Sequence, residues 1–157
     1  KHGVTTVFNP APCSPMDESW YALCDVLAPN ETEASALSGL PVETNLQICD
    51  CADWFYQRGI KNVILTLGAR GVYLRNAEHS RFVSTWNAGR TLDTTGAGDC
   101  FNGAFACALA EGRSVLEACR FGNAAASISV TRPGTAPSMP YRFEIEQRYA
   151  ALVGQAI

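Results

Sequence analysis

A glycine-rich stretch from Asp93 to Gly103 has the spacing that is most informative about chemistry. Apolar residues follow it at helical intervals, which predicts a helix that begins at the glycines: Phe101, Ala104, Phe105, Ala108 and Leu109. The first N–H groups of a helix lack backbone partners and lie at the positive end of its dipole. The sequence therefore predicts that Gly96, Ala97 and Gly98, here named the glycine turn, bind an anion.

Asp99 follows the glycine turn directly and could do chemistry there. Its carboxylate could accept a proton from a hydroxyl group while the N–H groups stabilise negative charge on a transferring phosphoryl group. This pairing suits phosphoryl transfer to an alcohol. The alternative is structural: Thr94 or Thr95 caps the helix, Asp99 complements its dipole, and the glycines allow close packing on a strand. The spacing alone favours neither interpretation.

Other catalytic motifs are missing from the sequence. There is no G-x-x-x-x-G-K-[ST] motif, and no third glycine follows Gly98 at the dinucleotide-binding spacing. His2 and His79 have no nucleophile nearby in the chain, and Cys49-Asp50-Cys51 has the wrong spacing for a zinc ribbon. P-loop, Rossmann, metal-hydrolase and triad chemistry are therefore disfavoured.

The composition fits a single soluble globular domain. The 157 residues include 12 Lys and Arg against 15 Asp and Glu, a formal net charge of -3, and 47% hydrophobic residues. Without a basic run or an apolar stretch of about 20 residues, no nucleic-acid or membrane partner is expected. The seven scattered cysteines are expected to be reduced thiols in a cytoplasmic protein. One of them, Cys100, follows Asp99 at the predicted helix start, where a lowered thiol pKa could allow redox control; the alternative is an inert small residue.

Helical and strand patterns alternate along the chain, which indicates a layered α/β fold. The expected strands are Val4–Phe8, Val26–Ala28, Asn62–Leu67 and an antiparallel pair, Gly71–Leu74 with Arg81–Ser84. The expected helices are Pro15–Asp25, Glu31–Ser38 capped by Asn30, Thr44–Arg58, Gly96–Glu111, Val115–Val130 capped by Ser114, and Tyr141–Ala156.

The stretch Asp93-Thr94-Thr95-Gly96-Ala97-Gly98-Asp99-Cys100-Phe101-Asn102-Gly103 closely resembles the C-terminal signature of the ribokinase-like, phosphofructokinase-B-type carbohydrate kinases. Four further segments resemble the same family in the same order: Asn9–Pro12, Pro29–Ala34, Thr66–Gly71 and Arg132–Pro140. The resemblance implies a three-layer α/β/α sandwich, of which this chain would be the C-terminal, nucleotide-binding half. The family's sugar-binding motif and β-strand lid have no counterpart here, so we expect one α/β domain of a longer enzyme.

The resemblance also assigns roles to individual residues. Asp99 matches the base that deprotonates the sugar hydroxyl, and the amides of the glycine turn match the anion hole for the γ-phosphoryl group. Asn30 and Glu33 match an N-x-x-E motif that orders phosphate, water and Mg²⁺, a hard cation. From the residues alone, Asn30 is equally a helix cap.

Two further groups match the nucleotide and cation sites of the family. The residues matched to ATP contact are Thr66, Leu67, Gly68, Ala69, Arg70 and Gly71, with Asn123 beside the adenine. The residues matched to a loop that binds a monovalent cation, mostly through carbonyl oxygens, are Asp93, Thr95, Ser129, Arg132, Gly134 and Ser138. Potassium activation is therefore implied. The structural alternatives are a tight turn at Gly68–Gly71 and an ordinary helix exit at Arg132–Gly134.

The activity implied by the resemblance is ATP-dependent phosphorylation of the 5-hydroxyl of D-ribose by the complete enzyme, with a homodimer possible. Fructose or another sugar is the alternative acceptor, because the acceptor site would lie outside this chain. A second alternative is a module that binds ATP without catalysis.

Overall fold

The computed structural model describes residues 3–14, 16–85 and 87–154. Two compact units make up the chain. The first contains the residues up to Gly68 together with Val72–Phe82, and the second contains Ala69–Gly71 together with the residues from Val83 onwards. This division does not test the expectation of a single domain, which stays a prediction.

A five-stranded mixed sheet runs in the order β1-β2-β3-β4-β5. Its strands are β1 (Val7–Phe8), β2 (Val26–Leu27), β3 (Asn62–Thr66), β4 (Val72–Arg75) and β5 (Ser80–Val83). β1, β2 and β3 are parallel, with Val7 opposite Val26 and Val26 opposite Asn62, whereas β4 is antiparallel to β3. The apolar run of β3 is explained by burial, since Val63, Ile64 and Leu65 are all fully buried.

The first unit also contains α1 (Glu31–Ser38) and α2 (Asn45–Gln57), and α2 packs on β3 and β4. Asn30 caps α1 and Gly39 ends it with φ 72°, which confirms the predicted bounds of this helix. α2 is confirmed with a capping box at Thr44. Its Ile48 and Phe55 join Leu65 in a buried apolar core.

The beginning of the chain differs from the prediction. A 3₁₀ helix over Glu18–Leu23 replaces the expected helix Pro15–Asp25, and Pro15 lies outside the described residues. Asp17 caps it, because its carboxylate accepts a hydrogen bond from the Ser19 N–H at 2.9 Å. A carboxylate at the N-cap position is an ordinary helix start, and the C-cap of the 3₁₀ helix is Cys24, whose N–H donates to the Tyr21 carbonyl.

The second unit contains α3 (Ala97–Ala110), α4 (Val115–Ser129) and α5 (Arg142–Gly154), in which α4 packs against both α3 and α5. All three helices and the Ser114 cap of α4 are confirmed, apart from residues 155–156, which lie outside the described residues. Gly122 allows α3 and α4 to pack closely, because a Cβ there would lie 2.6 Å from the Phe101 ring. Within the described chain, no helix is long and apolar enough to cross a membrane.

Candidate functional site

The glycine turn forms the start of α3, and no side chain caps it. Gly96 is the N-cap residue in the left-handed conformation, with φ 76° and ψ 4°. The expectation that Thr94 or Thr95 caps this helix is wrong: Thr94 offers its carbonyl to the Ala97 N–H at 3.2 Å, and the Thr95 N–H donates to Asp93. Gly98 is exposed, and a Cβ on it would meet nothing within 4 Å. The helix start is therefore open to an anion.

Asp99 lies in the first turn of α3 and is exposed. Within the described part of the chain, its carboxylate has no hydrogen-bond or ion-pair partner. A carboxylate without a partner keeps its lone pairs available to a hydroxyl donor. The structure thus places a possible proton acceptor beside the N–H groups of the glycine turn.

The glycine turn is supported by residues from beyond α4. A Cβ on Gly96 would lie 2.4 Å from the Thr135 Cγ2 atom and 3.5 Å from the Met139 Cε atom. Only glycine fits, because the left-handed φ and the close contact both exclude a larger residue. Thr135 was not among the predicted site residues, and no sequence pattern links it to Gly96.

Asp93 connects the residues before the glycine turn to Gly134. Its Oδ1 accepts the Thr95 N–H at 2.9 Å, and its Oδ2 accepts the Gly134 N–H at 2.9 Å. These hydrogen bonds lower the pKa of the Asp93 carboxyl, with those from Thr95 as the largest cause. Three residues predicted for the cation loop, Asp93, Thr95 and Gly134, are thus brought together.

The other predicted cation residues supply hydroxyl and carbonyl oxygens. Ser129 and Ser138 are buried, and their hydroxyls donate to the carbonyls of Ala126 at 3.0 Å and Thr135 at 2.7 Å. Among the described residues there is no group of three or more His, Cys, Asp or Glu side chains that could hold a metal ion. The binding of a monovalent cation at this loop stays a prediction.

The side chain of Arg132 pairs with Glu144. Its guanidinium donates to both Glu144 oxygens, and the Nη1–Oε2 distance is 3.4 Å. The Glu144 Oε2 atom also accepts the Tyr141 N–H at 2.8 Å. Glu144 was missed by the sequence reasoning, because a contact across a loop leaves no periodic signal.

In the first unit, the carboxyl ends of β2 and β3 bring Asn30 and Thr66 together. These two residues form a parallel bridge, and the Thr66 N–H donates to the Pro29 carbonyl at 2.9 Å. Asn30 and Glu33 form a capping box: the Glu33 N–H donates to Asn30 Oδ1 at 2.9 Å, and the Asn30 N–H donates to Glu33 Oε2 at 2.8 Å. Asn30 is therefore a helix cap, located at the edge of the sheet where α/β proteins bind ligands.

The remaining residues matched to ATP lie at turns. Leu67 is buried, Gly68 has φ 55°, and Gly68, Ala69 and Arg70 form an exposed 3₁₀ turn. Gly71 has φ 87°, and a Cβ there would lie 2.2 Å from the Val83 carbonyl oxygen. This glycine is required for close approach of two backbone segments.

The Asn123 side chain is buried and donates hydrogen bonds to backbone carbonyls of the protein. Its Nδ2 group donates to the carbonyls of Val83 at 2.9 Å and Ser84 at 3.3 Å, and the Thr85 hydroxyl donates to its backbone carbonyl at 3.3 Å. Asn123 and Gly71 therefore both position residues 83–85. Direct contact between Asn123 and a nucleotide base stays a prediction.

The structure does not favour redox control through Cys100. The Cys100 side chain is buried, and burial raises the pKa of its thiol, although a hydrogen bond with Ser129 opposes this shift. Desolvation is thus the largest influence on this thiol. The seven cysteines are free thiols, as expected.

The chain is similar to known carbohydrate kinases. The model of the pfkB family carbohydrate kinases matches residues 1–142. Ribokinase of Haemophilus influenzae is 44% identical over 144 residues, which are 92% of this chain and 47% of that protein. The chain spans about half the length of the curated relatives it matches.

Solved structures agree with this similarity. Ribokinase of Thermotoga maritima superimposes with a TM-score of 0.87 at 42% identity, covering 96% of this chain and 50% of the other. Arabidopsis thaliana ribokinase complexed with ribose and ATP gives a TM-score of 0.88 at 38% identity, covering 94% and 48% of the two chains. The expected ribokinase-like α/β fold is thereby confirmed.

Proposed function

Because the chain belongs to the pfkB family of carbohydrate kinases, we propose that the complete protein transfers the γ-phosphoryl group of ATP to a sugar hydroxyl. One observation carries the proposal: an exposed Asp99 without a partner among the described residues follows a helix start that no side chain caps. An anion site alone would need no adjacent base. The combination suits phosphoryl transfer to an alcohol.

In this mechanism, Asp99 accepts the proton of the attacking hydroxyl. The N–H groups of Gly96 and Gly98 donate to the oxygens of the phosphoryl group as it passes from one oxygen to the other, whereas the Ala97 N–H already donates to the Thr94 carbonyl. They are already aligned by the backbone of α3, so no reorganisation is needed during the reaction. Catalysis then comes mainly from positioning and charge stabilisation, as expected for phosphoryl transfer.

Nucleotide and Mg²⁺ binding is proposed at the edge that holds Asn30 and Thr66. An Escherichia coli relative, 26% identical with a TM-score of 0.76, was crystallised with ATP and Mg²⁺, which supports these cofactors. Glu33 is the carboxylate there that fits Mg²⁺, and residues 66–71 would lie along the nucleotide. Bound Mg²⁺ would supply charge neutralisation at the phosphates.

A monovalent cation is proposed for the loop that contains Asp93, Thr95 and Gly134. The oxygens available there, one carboxylate together with carbonyls and hydroxyls, fit K⁺ by their chemistry. Phosphofructokinase-2 of Escherichia coli, which is 28% identical, was crystallised with potassium. The residues proposed to hold the cation also include Ser129, Arg132 and Ser138, mostly through carbonyl oxygens; the Arg132 side chain itself pairs with Glu144.

The proposed acceptor is D-ribose, phosphorylated at its 5-hydroxyl. The similarity to several ribokinases supports ribose. A second candidate is 2-deoxyribose, since a deoxyribokinase of Salmonella typhi is 36% identical over 141 residues. Fructose and a non-catalytic ATP-binding role remain the alternatives to test. A homodimer and a cytoplasmic location stay predictions.

The test is a panel of sugars offered to the purified complete protein with ATP and Mg²⁺. ADP release is followed with D-ribose, 2-deoxyribose and fructose at equal concentrations, and the product is identified by phosphorus NMR. The proposal expects ribose 5-phosphate and the highest kcat/KM with ribose. No ADP release with any sugar, together with tight ATP binding by calorimetry, would support the non-catalytic module instead.

A further inference from the structure

Residues 132–141, here named the α4–α5 loop, lie between α4 and α5. The Glu144 carboxylate contacts both ends of this loop. At one end, the Arg132 guanidinium donates to both Glu144 oxygens. At the other end, the Tyr141 N–H donates to Glu144 Oε2 at 2.8 Å. A single carboxylate therefore joins the beginning of the loop to its end.

The middle of this loop contacts Asp93 and the glycine turn. The Gly134 N–H donates to Asp93 at 2.9 Å, and Thr135 and Met139 approach Gly96 so closely that a Cβ would collide with Thr135. No side chain caps α3, so these contacts help to hold the glycine turn in place, together with the Thr94 carbonyl that accepts the Ala97 N–H. A shift of the loop would move the N–H groups that are proposed to hold the phosphoryl group.

The ion pair of Arg132 and Glu144 is partly buried, so solvent screens it less than a fully exposed pair and it can fix the α4–α5 loop. The side chains of Arg132 and Glu144 are only 33% and 22% exposed. Two-point contact between a guanidinium and a carboxylate fixes orientation as well as distance. Arg132, followed by the Tyr141 N–H, lowers the pKa of the Glu144 carboxyl, so it stays ionised at neutral pH.

We propose that Glu144, acting through Arg132 and Tyr141, is a positioning residue for phosphoryl transfer: it holds the α4–α5 loop against the glycine turn. This inference rests on the proposed function for its kinetic consequence. Its structural consequence is that the backbone of the glycine turn is held in one conformation, and this does not depend on any activity.

The test compares Glu144→Gln and Glu144→Ala with Glu146→Gln in the complete protein. Glu146 is the matched control because it lies on the same helix and pairs with Arg142 four residues earlier, at 2.7 Å. We expect kcat for the Glu144 variants to fall by about 10- to 100-fold with little change in KM for the sugar, since small misplacements of catalytic groups cost this much. Glu146→Gln keeps the wild-type kcat.

Two further measurements separate positioning from a general loss of stability. Arg132→Lys retains one charged donor to Glu144, so it should lose less kcat than Arg132→Met at a comparable melting temperature. Amide hydrogen exchange of peptides covering residues 93–99 should increase in Glu144→Gln and not in Glu146→Gln.

The outcomes are distinct. If the wild-type protein phosphorylates sugar but Glu144→Gln and Glu146→Gln have the same kcat and the same exchange, the positioning role is wrong. If the wild-type protein phosphorylates no sugar, the proposed function fails, and the exchange experiment alone decides the structural role of Glu144. If Glu144→Ala does not fold, the comparison of Arg132→Lys with Arg132→Met decides it.

Discussion

Gly96 and Thr135 are in such close contact that a Cβ on residue 96 would lie 2.4 Å from the Thr135 Cγ2 atom. The conformation at the start of α3 thus depends on Thr135, which follows α4 in the chain, as well as on the residues of α3 itself. The first prediction follows from this contact.

Gly96→Ala should destabilise the protein and reduce its kinase activity. Alanine pays at least about 1 kcal/mol for the left-handed conformation, and Thr135 must also move. Thermal unfolding and kcat with ribose measure the two effects. Gly103→Ala, in the same helix, is the control: a Cβ there would meet nothing within 4 Å, and its gain in helix propensity should slightly stabilise the protein. Equal melting temperatures for the two variants would contradict the close contact.

Asn123→Ala should destabilise the protein by about 1–3 kcal/mol, because the buried carbonyl of Val83 loses its donor and the carbonyl of Ser84 loses a hydrogen bond. Urea unfolding followed by circular dichroism measures this change. The exposed Asn87 provides the control variant Asn87→Ala, for which we expect a change within about 0.5 kcal/mol. A similar small change in both variants would show that Asn123 does not hold residues 83–85.

Because of Asp93, the free energy of unfolding should depend on pH in the acidic range. Hydrogen bonds from Thr95 and Gly134 keep its pKa below the ordinary value of 3.8, so near and below that pH the unfolded chain binds a proton that the folded chain does not. The stabilisation by Asp93 is complete above pH 3.8 and is lost as the pH falls through the lowered folded pKa. Asp93→Asn should therefore show a shallower loss of stability on acidification. The exposed Asp50 gives the control Asp50→Asn, and an identical acid profile for wild type and Asp93→Asn would contradict the assignment.

Cysteine labelling should spare Cys100. Burial raises the pKa of the thiols of Cys100 and Cys119, whereas Cys107 is exposed. Limited treatment with iodoacetamide at pH 7.5, followed by mass spectrometry, should therefore modify Cys107 before either of the others. Faster labelling of Cys100 than of Cys107 would revive a redox role at the start of α3.

Local signals made part of the structure predictable. Asn30 and Gly39 mark α1, and Ser114 marks the start of α4, because caps and helix ends act over a few residues. The glycine turn was found for the same reason.

Contacts between distant residues could not be predicted. The close contact of Thr135 with Gly96 and the pairing of Arg132 with Glu144 depend on tertiary packing. Such contacts produce no regular spacing of residue types along the sequence. The structural alternative of a Thr94 or Thr95 side-chain cap does not hold, because Gly96 takes the N-cap position and Thr94 accepts the Ala97 N–H with its carbonyl instead. The expected helix begins at Glu18 rather than at Pro15 because Asp17 caps it.

The most direct test of the account is the rate of ribose phosphorylation by the complete protein and by its Asp99→Asn variant at saturating ATP and ribose. Asparagine has the same shape and cannot accept the hydroxyl proton as a base. We predict that kcat falls by at least about 100-fold while ATP binding measured by calorimetry is retained. A variant that phosphorylates ribose at the wild-type rate would show that Asp99 is not the base, and would contradict the central claim.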